Sequence, residues 1–169
     1  QAIVSGIQLI QLGDATAVLA GGVEVMSRGP YILPAHRWGA RMGDSGLTDM
    51  LLGALHDPFG IGHMGITAEN VAQDYNISRA SMDEFAAESQ ARASAAQSAG
   101  YFKEQIVPLT FKQGRKEINF GSDEFIRSET TFDSLANLRP AFAKDGLVTA
   151  GNSSGINDGS ASVILADAN

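Results

Sequence analysis

Cysteine is absent from all 169 residues. Within this sequence there is therefore no disulfide, no thiolate metal site and no thiol nucleophile. A cysteine-free composition fits a reducing compartment, so a cytoplasmic setting is expected. Positive charge is also scarce, with 12 basic against 19 acidic residues and a net charge of −7. That balance argues against a general nucleic-acid or membrane-surface binder. Long apolar runs are missing too. The longest, near residues 15–20, falls far short of the roughly 20 residues that span a bilayer. No initiator methionine or signal-type segment precedes Gln1, which is not read as a native start. What is present is an ordinary globular composition, 44% hydrophobic, in a chain long enough to bury roughly 70% of its unfolded surface.

Residues 2–12 are apolar on more than one face and stop at Gly13, the pattern of a largely buried helix with a glycine terminator. The short apolar run that follows Asp14, ending at Gly21-Gly22, predicts a strand covered on both faces of an α/β sheet. After Ser27 the texture changes. Pro30, Pro34 and scattered glycines break any periodicity, so the chain makes an excursion from the sheet. Residues 28–43 carry Arg28, His36, Arg37 and Arg41 with no acid, and hold Tyr31 and Trp38. A solvated loop, a phosphate site and a subunit contact all remain open readings.

A short helix is predicted over residues 66–75 and a strong one over 82–99, closed by Gly100. Ser81 with Glu84 has capping-box spacing, and Ser78 competes as the cap. The strong helix shows only a modest apolar face and should lie partly exposed. Residues 106–111 and 118–120 read as a strand pair around a charged connection, with Pro108 at an edge. A short helix is expected near 132–136, and sheet-like sequence returns at 148–150 and 162–165. The organisation is discontinuous: 1–27 and 146–169 form one sheet-bearing part, and 28–145 is an insertion.

Chemistry concentrates in two places. His63 stands between glycines in Gly62-His63-Met64-Gly65, just ahead of a helix, where a ligand has close access. A hydrogen-bonded loop histidine fits the same spacing. His36 and His56 complete no zinc set with it, so no metal is expected. Residues 148–159 form the second place, a loop dense in Gly, Ala, Ser, Asn and Asp suited to close backbone approach. Gly151-Asn-Ser-Ser-Gly155 is out of register for a serine-hydrolase elbow. No phosphate loop or dinucleotide-binding turn is present. Arg127, Ser134, Arg139 and Lys144 could recognise phosphate through bidentate arginine and a neutral hydroxyl, or form a solvated surface.

Eight segments together resemble one family. They are Gly13-Asp14-Ala15, Ala20-Gly-Gly-Val-Glu24, Arg41-Met-Gly-Asp44, residues 62–70, Glu104-Gln-Ile-Val-Pro108, Asp123-Glu-Phe-Ile-Arg127, Arg139-Pro-Ala-Phe142 and residues 148–159. In order and spacing they resemble the thiolases, which make or cleave 3-ketoacyl-CoA thioesters. The Gly-His-Met-Gly form points to the biosynthetic acetoacetyl-CoA branch. Val23, Val25 and Ser153 depart from the usual residues, small changes that bear on packing.

The resemblance implies an α/β fold, part of a five-layered α-β-α-β-α architecture carrying an α+β loop domain of residues 28–145. It implies reversible condensation of two acetyl-CoA to acetoacetyl-CoA plus CoA, by way of a cysteine thioester. It also implies that the nucleophilic cysteine lies just before the position of Gln1, and that the second cysteine and the catalytic histidine lie beyond Asn169. No catalytic residue is then expected in this segment, which alone would be inactive. Arg127 and Ser134 would contact the adenosine-phosphate and pantetheine end of CoA. His63, Met64, Phe142, Ala150 and Ser154 would line the pantetheine channel, with His63 positioning only. Acetyl-CoA and acetoacetyl-CoA are the expected partners, without a separate cofactor, and residues 28–43 the expected contact of a homotetramer. A degradative 3-ketoacyl-CoA thiolase segment and a non-catalytic CoA-binding fragment are the alternatives.

Overall fold

The computed structural model describes residues 1–167. Its contacts divide the chain into two compact units, residues 1–55 with those from 156 onward, and residues 56–155. Sequence texture draws the boundaries elsewhere, at 27/28 and 145/146.

In the first unit, helix α1 (Ala2–Gln11) ends as the chain turns through Gly13 at φ +79°, a left-handed geometry that glycine adopts without strain. Strand β1 (Ala17–Glu24) pairs antiparallel with β8 (Gly159–Ala166) over eight residues, from Ala17↔Ala166 to Glu24↔Gly159. Gly6 is the buried residue of α1. A Cβ there would meet Leu165 at 2.8 Å and Val18 at 3.1 Å, so the absence of a side chain seats the helix on the strand pair.

Two expectations of burial are corrected here. Helix α1 is not largely buried: Ile3, Val4, Ile7 and Leu9 are all exposed, because the described residues cover one face only. Strand β1 is likewise not covered on both faces. Ala20 alone is buried along it, and Leu19 and Val23 face outward.

Beyond β1 come a 3-10 turn at Met26–Arg28, β2 (Tyr31–Ile32), a second 3-10 turn at Pro34–His36, β3 (Thr48–Asp49) and α2 (Met50–Ala54). Strands β2 and β3 pair antiparallel. The first turn is tied to the foot of β8. The Asp158 carboxylate accepts from the Ser27 hydroxyl at 2.6 Å and from the Ser27 N–H at 2.8 Å. The Ser27 hydroxyl first, then its N–H and that of Met26, hold the Asp158 carboxyl below its ordinary range against some desolvation. Trp38 and Met42, in the acid-free stretch that follows, are almost wholly exposed.

In the second unit β4 (His56–Asp57) pairs with β5 (Gly62–His63), and α3 (Met64–Asp74) starts directly from β5. Asn76, at φ +52°, turns the chain out of α3. Helix α4 (Arg79–Ser98) is capped by Ser78, whose hydroxyl accepts from the Ser81 N–H at 3.1 Å. The competing cap prevails over Ser81 because the helix begins three residues earlier than its apolar pattern does. Strands β6 (Leu109–Gln113) and β7 (Lys116–Phe120) form a hairpin whose turn holds Gly114 at φ +63°. The pairing runs through the charged residues expected to separate the strands, since exposed hairpin strands tolerate them. Helix α5 (Phe132–Ala136) lies where expected. Residues 148–150 form no strand; Thr149 makes one isolated bridge to Pro140.

Candidate functional site

Gly62, at φ +104°, turns the chain into His63, which becomes the N-cap of α3. The His63 Nδ1 accepts from the Gly65 N–H at 3.0 Å. A neutral imidazole held this way carries its proton on Nε2 and presents that nitrogen as a donor. Two rings fix the imidazole plane. Phe142 stacks on it with centroids 4.8 Å apart and planes 22° apart, and His56 meets it edge-on at 5.3 Å. Gly65 is buried beneath Phe142, and a Cβ there would run into the phenyl ring. The glycine of the Gly-His-Met-Gly sequence is thus the space in which Phe142 lies.

The small-residue loop is a hydrogen-bonded structure. Glu69, further along α3 from His63, accepts the Leu147 N–H at 2.9 Å and the Val148 N–H at 2.9 Å. Thr149 is fully buried, and its hydroxyl oxygen accepts from Gly151 and Asn152 N–H groups at 3.2 and 3.3 Å. The Asn152 side chain returns the contact, accepting from the Thr149 N–H at 2.7 Å. Its amide donates to Asp83 at 3.0 Å and to the Leu147 carbonyl at 3.1 Å. Ser153 donates to the Thr149 carbonyl at 2.7 Å. Such reciprocal bonds rigidify a loop that composition alone leaves free.

Asp83 is 1% exposed, and Arg79 pairs with it at 2.6 Å. The same guanidinium donates to the Leu135 and Leu138 carbonyls at 2.7 and 3.1 Å, gripping the C-terminal end of α5. Further along α4, Gln90 accepts the Arg127 N–H at 2.8 Å. One helix therefore carries both the Arg127–α5 segment and the 149–155 loop.

The structure joins His63 and Phe142 directly and leaves Met64, Ala150 and Ser154 exposed. Arg127 is exposed as well. Ser134 completes the capping box of α5, donating to the Thr131 carbonyl at 2.7 Å and accepting the Thr131 N–H at 3.0 Å. Among the described residues, no hydrogen bond links Arg127 or Ser134 to the His63–Phe142 pair. Sequence reasoning missed the supporting layer of Glu69, Arg79, Asp83 and Asn152, and it did not associate His56 with His63. The spacing of Arg79 and Asp83, four apart at a helix start, was a visible signal of a paired carboxylate.

An α/β chain with this glycine-flanked histidine cap and this amide-rich loop matches a known domain over its length. The thiolase N-terminal domain model covers residues 1–169, and the chain belongs to the thiolase family. It is 58% identical over 166 residues to the beta-ketothiolase BktB of Cupriavidus necator, covering 98% of this chain and 42% of that protein. It is 52% identical over 160 residues to an acetyl-CoA acetyltransferase of Chromobacterium violaceum, covering 94% and 41%. The crystal structure of the Bacillus anthracis acetyl-CoA acetyltransferase superposes with a TM-score of 0.90 at 47% identity, over 99% of this chain and 43% of that one. Human mitochondrial 3-ketoacyl-CoA thiolase in complex with CoA superposes at 0.88 and 42% identity, over 99% and 42%. The fold is that of the thiolases, and the chain spans less than half the length of these relatives.

Proposed function

We propose that this chain is the CoA-binding part of an acetyl-CoA C-acetyltransferase. The full enzyme condenses two acetyl-CoA into acetoacetyl-CoA and CoA, or runs the reverse, through a cysteine thioester. The carrying observation is the Gly62–Gly65 helix start, whose histidine is fixed by Phe142 and Gly65 with Nε2 free to donate. Relatives named acetyl-CoA acetyltransferase, at 48–52% identity, support this reading, and the 58% identical beta-ketothiolase BktB supports the same class of thioester chemistry.

In this reading His63, Met64, Phe142, Ala150 and Ser154 line the pantetheine channel. Arg127 meets the charged end of CoA, and Ser134, already engaged in the α5 cap, offers its remaining lone pair. CoA thioesters are the substrates, and no separate cofactor takes part. The chain contains no thiol and by itself transfers no acyl group. The assembly is a homotetramer held partly through residues 28–43, whose exposed Trp38 and Met42 and lack of acid suit a contact surface. The setting is cytoplasmic, since a thiolate enzyme works in a reducing compartment. Among the described residues no helix is long and apolar enough to cross a membrane.

The test is Arg127→Ala in the full-length protein. A charge-assisted contact is worth about 1.5–3 kcal/mol, so the KM for CoA should rise roughly ten- to a hundredfold at near-constant kcat. A fall in kcat at unchanged KM would remove Arg127 from the site.

A further inference from the structure

Helix α4 supplies none of the residues assigned above to CoA contact, yet it holds both the segment that bears Arg127 and Ser134 and the loop that bears Ala150 and Ser154. Its Arg79 grips the end of α5, its Gln90 holds the Arg127 backbone, and its buried Asp83 holds Asn152 and with it the 149–155 loop. We propose that Arg79, Asp83 and Gln90 are positioning residues that set the distance between the grip on the charged end of CoA and the grip on its pantetheine arm. This rests on the reading of the site as a CoA site.

The physical grounds are the burial and the sharing of donors. Asp83 is sealed from water and has two partners, the Arg79 guanidinium and the Asn152 amide. Arg79 divides its donors between that carboxylate and the two α5 carbonyls. A planar guanidinium can do this because its N–H groups are fixed in a fork. An ammonium at the same place keeps the charge beside Asp83 and loses the fork. Arg79→Lys therefore loosens the α5 arm while leaving the Asp83–Asn152 arm paired. Asn152→Asp does the converse, setting a second carboxylate against Asp83. Gln90→Ala removes only the exposed hold on Arg127.

Full-length protein is assayed with two thioesters, acetoacetyl-CoA and acetoacetyl-pantetheine, the second lacking the phosphorylated adenosine end. Arg79→Lys and Gln90→Ala should raise the KM for the CoA thioester about three- to tenfold, with kcat and the KM for the pantetheine thioester held within about twofold, as expected when neutral to charge-assisted bonds are lost. Asn152→Asp should raise the KM for both. Arg92→Ala, which opens an exposed pair with Glu88 on the same helix, should change neither. Gln90→Ala perturbs no buried group, so it tests the idea even where Arg79→Lys fails to fold. Equal shifts for the two thioesters with Gln90→Ala, or no shift at all, would overturn the positioning role. A wild-type protein that turns over neither thioester would instead overturn the CoA reading itself.

Discussion

Gly65 has no room for a side chain because the Phe142 ring occupies it. Gly65→Ala should push the ring aside, at a cost of about 1–3 kcal/mol of stability as in other overpacked cores. With the ring displaced, His63 loses its stacking partner. A melting curve of the full-length protein unchanged by the substitution would show that Phe142 has another place to go. Asp158 gives a second residue-scale prediction, through pH. Its folded-state pKa lies below the unfolded one, so the Ser27 contact stabilises the chain fully above about pH 4 and ceases to do so as pH falls through the folded value. Both groups face solvent, and the effect is modest. In the full-length protein, wild type and Asp158→Ala should differ in denaturant midpoint at pH 7 and converge as pH falls below the ordinary carboxylate range; a gap that stays constant as the carboxyl protonates would contradict the linkage. Individual residues were the least legible scale. His63 stood out from its glycines, but Asp83 and Glu69 look like surface acids, and only the fold reveals that one is sealed and the other collects backbone N–H groups.

Elements were more legible than residues, for a reason visible in α4. Its run of Ala, Glu, Gln and Arg made the helix plain, whereas its start depended on which serine hydroxyl reached an orphan N–H. Ser78→Ala should cost about 1 kcal/mol, measured by thermal or denaturant unfolding of the full-length protein. Ser81→Ala, which removes no capping oxygen, should be close to neutral, and the reverse order would move the helix start to Ser81. Helices α1 and α5 and strands β1 and β8 were readable from glycine stops and apolar runs. The hairpin turn at Gly114 hid inside a charged stretch, and residues 148–150 imitate a strand because Val148 and Thr149 are buried for another purpose, beneath the Asn152 network.

For the whole molecule, burial was the misjudged quantity. The apolar character of α1 and β1 predicted cover on several sides, and the described residues supply one. Ile3, Val4 and Ile7 are left half open and Leu19, Val23 and Ile164 mostly open to solvent, each forgoing part of the roughly 1.5–3 kcal/mol that full burial contributes. That is a large sum beside a net domain stability of about 5–15 kcal/mol. The chain by itself should therefore bind a hydrophobic dye strongly and melt without cooperativity. Weak dye binding together with a sharp transition would mean these faces find cover within the chain. The acid-free residues 28–43 lead to a prediction for the assembly. Arg37→Glu with Arg41→Glu in the full-length protein should lower the oligomer mass by light scattering, and an unchanged mass would remove this stretch from the interface.

The pairing of Glu24 with Gly159 at the end of the β1–β8 ladder has an engineering corollary. Neighbouring strands lie about 5 Å apart, so the long intervening chain departs and returns through one narrow gate. The ladder meets the closure cost of that excursion, and closure cost grows only slowly with length. The excursion is thus a cassette: in the full-length protein, a two-residue Asn-Gly turn joining Glu24 to Gly159 should close β1 and β8 into an ordinary hairpin, and foreign domains whose termini lie close together could be spliced in at the same point.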